Sequence, residues 1–171
     1  MIQLFQYPYK TLTQISSEWT KEDSIEGYTD IEKFEEDMIM LMNIQNGLGL
    51  AANQIGITKR FFAIGHDSFD TFKKSVIIWN PVIKTQSEEK VIDLEGCLSF
   101  KNIFIKVERP KVIEVEYETT KGIKETARLD GMESKCFQHE FDHLEGITFN
   151  KRVSKLKWDM AKQRIKNVRS E

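Results

Sequence analysis

The run His139-Glu140-Phe141-Asp142-His143 constrains this chain more than any other stretch. Its two histidines are four residues apart, which on a helix puts both imidazoles on one face, where they can grip a single metal ion. Glu140, beside the first histidine, is then placed to take a proton from water at that ion. The chain has 3 histidines, so all but one are committed to this run. A metal-dependent hydrolase is the reading these residues favour, provided the rest of the chain supplies a third ligand and a donor for an oxyanion.

The common peptidase arrangement places a third histidine six residues after the second, with a glycine midway. Gly146 stands at the glycine position, but residue 149 is Phe149. A later carboxylate is the other usual solution, and beyond Gly146 only Asp159 and Glu171 are acidic, in a stretch otherwise rich in Lys and Arg. The third ligand is therefore expected upstream. Cys97, within Glu95-Gly96-Cys97-Leu98-Ser99, offers a soft donor. One thiolate with two imidazoles leaves a fourth position open to water, the arrangement of a catalytic rather than a structural metal. Taken alone, a cysteine is more simply a small buried hydrophobe. Gln54 closes the small-residue stretch Gly47-Leu48-Gly49-Leu50-Ala51-Ala52-Asn53-Gln54. Its glycines let a substrate backbone come close, and a carboxamide near a metal can donate to a developing oxyanion.

At 171 residues with 40% apolar side chains, the chain is expected to form one domain over 1–171. A formal charge of −2 gives no global pull toward DNA or anionic lipid. Two cysteines make no disulfide framework, and a reduced, cytoplasmic setting is expected. The start, Met1-Ile2-Gln3-Leu4-Phe5-Gln6-Tyr7-Pro8, lacks a basic segment followed by a long apolar run, and no apolar stretch approaches membrane-spanning length. Residues 151–171 carry eight cations (Lys151, Arg152, Lys155, Lys157, Lys162, Arg164, Lys166, Arg169) against Asp159 and Glu171. Such a stretch is either a solvated helix face or a patch for RNA phosphates.

Residues 1–28 read as irregular. A helix is predicted from Thr29, where Thr29 and Glu32 have capping-box spacing, with Ile31, Phe34, Met38 and Leu41 on its apolar stripe and Gly47 as its stop. Strand patterns follow at 60–64, 75–79, 103–107 and 111–118, with a partner at 123–129. Asp130 or Ser134 opens the metal-binding helix and Gly146 ends it. Ser154 begins a last amphipathic stretch with Trp158, Ala161, Ile165 and Val168 on one stripe. The order helix, strands, helix predicts α+β architecture: antiparallel or mixed sheets around a central metal-binding helix, with an N-terminal helix and a short C-terminal one.

Taken together, the stretches 47–54, 95–99 and Gln138–His143 resemble, in sequence and in order, the three motifs of the peptide deformylase family. The resemblance spans roughly residues 4–150. It implies hydrolysis of the formyl group from the N-terminal formyl-methionine of nascent peptides. It also implies Cys97, His139 and His143 as ligands to one divalent ion, most often Fe2+, with Zn2+, Ni2+ or Co2+ able to take its place. Glu140 is implied as general acid/base, with Gln54 and the Leu98 backbone N–H as oxyanion donors. Glu95 and Arg109 are implied as an ion pair behind the second motif. Gly49 would hold the substrate backbone, and Leu48, Met132, Cys136 and His139 the methionine side chain. Ribosomal RNA is the partner the resemblance suggests for 151–171. Three positions depart from the family pattern: Asn53 replaces a common proline, Lys101-Asn102 a proline-containing turn, and Phe104 an arginine that helps hold the peptide. Other chemistries remain open at this stage. Cys136, three residues before His139, can join Cys97 and both histidines in a closed Cys2His2 site. Cys97 can act as a thiol nucleophile with His139 as its base. A zinc peptidase acting on internal bonds is a further alternative.

Overall fold

A computed structural model of the chain describes residues 2–168, the side chains of 165–168 excepted. The elements run α1 (Ile31–Ile44), β1 (Gly49–Ala51), β2 (Phe61–Ile64), β3 (Val76–Gln86), β4 (Lys90–Cys97), β5 (Phe100–Pro110), β6 (Val112–Glu118), β7 (Lys124–Asp130), α2 (Gly131–Leu144) and α3 (Lys155–Val168). Five strands pair antiparallel in the order β1-β2-β3-β6-β7, while β4 and β5 form a separate hairpin. The α+β class expected from the sequence is the one adopted. The expected irregular start contains one short 3₁₀ turn, Lys10–Thr13.

Alternation along the strands explains why the five-stranded sheet lies between two helices. Phe61, Ala63, Ile77 and Trp79 point to one face and meet Phe34, Met38 and Met42 of α1. Phe62, Ile64 and Ile78 point to the other and meet Phe137 and Leu144 of α2. The α1 cap is Asp30, whose carboxylate accepts the Glu32 N–H at 2.9 Å, one residue later than the Thr29 box expected. The helix also stops before Gly47. Asn46 takes the left-handed conformation (φ 55), which Asn tolerates better than most residues. Leu41 is only half-buried, and Met42 takes the inward position.

The strand expected at 75–79 continues to Gln86. It passes through Asn80 (φ 45) and Pro81 by a register shift between Trp79 and Val82, a bulge that lets proline sit in an interior strand. The strand expected at 103–107 is the centre of the longer β5, whose partner β4 carries no clean apolar alternation to announce it. Asp130, not Ser134, precedes α2, and Gly146 (φ 67) follows its end as expected. Trp158 and Ala161 of α3 pack on Phe100 and Phe149; the stripe positions Ile165 and Val168 lie outside the described side chains. Among the described residues, no helix is long and apolar enough to cross a membrane.

Candidate active site

Helix α2 is unusual in what it buries. Glu133, Ser134, Gln138, His139, Glu140, Asp142 and His143 are all enclosed, and burying a polar group costs free energy unless a partner is found inside the protein. Glu133 accepts the Phe72 N–H at 2.6 Å and the Thr71 N–H at 3.1 Å, fixing the first turn to the 66–72 loop. Gln138 donates to the Pro110 carbonyl at 2.9 Å, tying the helix to the end of β5. Held this way, the helix presents His139 and His143 to the C-terminal end of β4.

Cys97, at that end, completes the group. The ligating atoms of Cys97, His139 and His143 all lie within 4.8 Å of one another, and Cys97 Sγ is 3.2 Å from His143 Nε2. His139 Nδ1 pairs with Glu95 Oε2 at 3.1 Å, which leaves Nε2 for the cluster. Cys136 is not part of the group, so the four-donor Cys2His2 arrangement is not formed. Burial instead holds the Cys136 thiol protonated, well above its ordinary range.

The donor set fits a divalent cation. Burial works against charge on His139, yet the neighbouring Cys97 and Glu95 outweigh it and raise the imidazole well above its usual range. Cys97 and Glu95 thus favour positive charge at this point, which a divalent cation held by the three donor atoms would supply. Burial, reinforced by His139 and Arg109, holds His143 well below its usual range and so neutral, the form that ligates.

Behind the cluster, Arg109 of β5 forks onto Glu95, with Nε 2.5 Å from Oε1 and Nη2 2.9 Å from Oε2, and reaches Asp142 with Nη1 at 2.9 Å. Burial opposes ionisation of Glu95, but hydrogen bonds from His139 and Arg109 prevail and bring its carboxyl down to about 2. Glu140 has no such partner. Burial raises it to about 7, and its Oε2 is enclosed without a hydrogen bond. A carboxyl in that state can accept and return a proton near neutral pH.

The 52–55 turn brings Gln54 to the opposite wall. Its Oε1 accepts the Ala51 N–H at 2.8 Å, which orients Nε2 toward Ser99 Oγ at 3.0 Å and Cys97 Sγ at 3.6 Å. The N-terminal segment pins this wall together: the Phe5 N–H donates to the Gln54 carbonyl, Gln6 Nε2 to the Leu98 carbonyl and the Tyr7 N–H to the Ser99 carbonyl. A cavity of about 610 Å³ opens in front, and Gln54, Leu98, Cys97, His139 and Glu140 line it with Leu48, Gly49, Met132 and Cys136. Of the catalytic, ligand, pocket and ion-pair residues expected from the sequence, all but His143 and Arg109 are in its lining, and His143 joins it through the Cys97–His139 group.

Three braces escaped the sequence reading. Ser99 receives the Gln54 amide. Asp142 joins Arg109 to Arg152 of the next turn. Asn53, noted from the sequence only as replacing a common proline, donates to the His143 carbonyl. Their signal was position alone, each lying within or beside a motif.

Known proteins resemble this chain in sequence and fold. The family model described as polypeptide deformylase matches residues 1–159. Peptide deformylase of Rhizobium meliloti (strain 1021) is 38% identical over 136 residues, 80% of this chain and 78% of its own length. That of Pelagibacter ubique (strain HTCC1062) is 37% identical over 164 residues, 95% of this chain and 92% of its own. The crystal structure of peptide deformylase from Thermotoga maritima superposes with a TM-score of 0.80 at 36% identity, covering 90% of this chain and 98% of that one. A peptide deformylase from Synechococcus elongatus, solved in complex with actinonin, gives 0.84 at 29% identity, covering 95% and 86%. With that likeness running through almost the whole chain and its donor group in place, this chain belongs to the peptide deformylase family of enzymes.

Proposed function

We propose that the chain removes the formyl group from formyl-methionyl peptides as they are made. The observation carrying this reading is the donor group Cys97, His139 and His143, beside a cavity that Cys97, His139, Glu140 and Gln54 line. Cys97, His139 and His143 would hold a divalent cation, Fe2+ by proposal with Zn2+, Ni2+ or Co2+ as substitutes, which would supply Lewis-acid chemistry to a carbonyl and to water. Glu140 takes the proton of the attacking water and returns it to the departing nitrogen, because an amide nitrogen must be protonated to leave. Gln54 Nε2 and the Leu98 N–H donate to the oxyanion that develops. Leu48, Met132 and Cys136 receive the methionine side chain, and Gly49 lets the substrate backbone approach. Glu95, held by Arg109, keeps His139 in orientation and tautomer.

The test is hydrolysis of formyl-Met-Ala by protein purified without oxygen and loaded with iron, beside an unformylated peptide that exposes any internal cleavage. Glu140→Gln is expected to retain metal and fold while turnover falls by about 10²–10⁴. Full turnover in that variant would end this reading.

The reading extends to a cytoplasmic site of action beside the ribosome. Lys155, Lys157 and Arg164 stand exposed on α3, and a basic helix attracts RNA phosphates without further specificity; Lys166 and Arg169 lie outside the described side chains. Lys155→Glu with Lys157→Glu is expected to weaken salt-sensitive ribosome binding, and unchanged binding rejects the contact.

A further inference from the structure

Helix α2 carries two donor histidines, and only the first has its second ring nitrogen paired. His139 Nδ1 meets Glu95 Oε2 at 3.1 Å, whereas His143 Nδ1 is enclosed without a hydrogen bond. A neutral imidazole has one N–H, and a cation on Nε2 confines it to Nδ1. A metal-ligating histidine ordinarily donates that N–H to an acceptor, and a buried donor left unpaired is costly. Among the described residues, His143 Nδ1 is the one enclosed side-chain nitrogen without a partner; the other such atoms are oxygens of Ser16, Asn53, Glu140, Thr148 and Asn150. Of these five residues, Asn53 is the one whose side chain already bonds to His143, through Nδ2 to the backbone carbonyl. A carbonyl can only accept, so this bond fixes which way the amide is turned and leaves Oδ1 as a free acceptor. Nδ1 is the ring nitrogen nearer the backbone that the amide touches. The Asn53 main chain is anchored too, because its carbonyl accepts Thr11 Oγ1 at 2.7 Å. Asn53 is fully buried and His143 is 1% exposed, so bulk water competes for neither atom.

We propose that Asn53 is a positioning residue for the cation site: its Oδ1 accepts the His143 Nδ1–H and holds that imidazole in its ligating tautomer and orientation. The inference rests on the reading of Cys97, His139 and His143 as a cation site. It makes the supports of the two imidazoles unlike. Glu95, behind His139, is a carboxylate gripped by Arg109. Asn53, behind His143, is a neutral amide, which accepts a hydrogen bond without adding negative charge beside Cys97 and Glu95. Proline, the residue that Asn53 replaces, has no side-chain acceptor, so this support comes with the asparagine.

Two substitutions separate this role from the bond to the His143 carbonyl. Asn53→Asp keeps the acceptor and loses the donor, whereas Asn53→Leu loses both at similar volume. The first readout is zinc affinity of the full chain, measured by competition with a chelator. Asn53→Leu is expected to weaken it about 10–100-fold, and Asn53→Asp to stay within about threefold of the unaltered chain. Equal weakening in both variants would mean that only the carbonyl bond matters, and overturns the proposal. The second readout is the ring N–H spectrum of the unaltered, zinc-loaded chain with isotope-labelled histidine, which its 3 histidines make simple to assign. The His143 Nδ1–H is expected downfield and slow to exchange, with the Glu95-bonded His139 Nδ1–H as internal reference. Thr148→Val should leave that signal in place. A fast-exchanging His143 Nδ1–H, or a signal lost in Thr148→Val, overturns the proposal, the latter by naming another acceptor. If the unaltered chain binds no zinc, the cation reading fails and takes the proposal with it. Tight binding that Asn53→Leu leaves unchanged removes the proposal alone.

Discussion

Gly49 shows how one missing side chain sets the geometry of the site. A Cβ there would fall 2.5 Å from Glu140 Oε1 and 2.6 Å from its Cγ, so the carboxyl occupies the space a side chain would fill. The sequence suggested only that Gly49 admits the substrate backbone; its second duty, seating Glu140, depends on a helix more than eighty residues away. Gly49→Ala must displace the Glu140 carboxyl, and misplacement of a proposed catalytic group on the scale of an ångström is worth about 10²-fold in rate. The expected variant folds and binds iron with wild-type stoichiometry by metal analysis, yet loses turnover on that scale. Wild-type turnover would mean that Glu140 acts from another position. Asn53 makes the opposite case. Fully buried, it donates to the His143 carbonyl from the residue next to Gln54, linking the donor turn to the ligand helix. Asn53→Ala is expected to cost about 0.5–1.5 kcal/mol in denaturant unfolding, because the His143 carbonyl keeps the Gly146 N–H but loses its second donor. Cys97, His139, Glu140, His143 and Gln54 were legible because their chemistry admits few substitutes. Asn53 and Ser99 were not, because an ordinary amide or hydroxyl declares no partner until the chain has folded.

At the scale of elements, the Arg109 guanidinium ties hairpin to helix alongside the His139–Glu95 and Gln138–Pro110 contacts. Arg109 lies opposite Val91 in the register while Glu95 lies opposite Ile105, so their pairing is diagonal and depends on the reach of arginine. Its remaining nitrogen spans to Asp142, joining β4, β5 and α2 in one buried network. Removing one partner from such a network leaves charge enclosed and unmatched, at a cost of about 3–5 kcal/mol. Arg109→Met is expected to lose stability on that scale in equilibrium unfolding. Arg109→Lys should recover only part of it, because an ammonium cannot fork onto a carboxylate. Equal stability for Arg109→Met would show that the network is dispensable to the fold. The Glu95–Arg109 pair was foreseen by resemblance, whereas Asp142, inside the most conspicuous motif of the chain, was not. Its partners come from a distant strand and from the turn after its own helix, and helical periodicity reports neither. Strand lengths were lost for a related reason. Periodicity marked 75–79 but not the continuation through Asn80 and Pro81, because the bulge that accommodates them is a property of the paired strands.

At the scale of the molecule, the donor group spans the two sheets of the fold. Helix α2 belongs with the five-stranded sheet through Phe62, Phe137 and Leu144, whereas Cys97 is the last residue of β4 in the hairpin. A cation held by all three donors therefore acts as a cross-link between hairpin and sheet layer, additional to the Arg109 network. Binding to the folded state alone stabilises it by about 2.7 kcal/mol when the free ion stands at a hundred times its dissociation constant. Chelation is accordingly expected to lower the melting temperature and to abolish turnover together, and re-addition of Fe2+ to restore both. The loss of protection should be local. In hydrogen exchange, amides of β4, β5 and the last turns of α2 should open faster without metal, while β2, β3 and β6, buried in the sheet, keep their protection. Cys97→Ala supplies the control, since it removes the hairpin's donor and leaves both imidazoles, and it should reproduce the chelated exchange pattern even in excess Fe2+. Uniform loosening of the whole chain on chelation would mean that the ion governs global folding. No change in the hairpin would mean that Cys97 does not hold it.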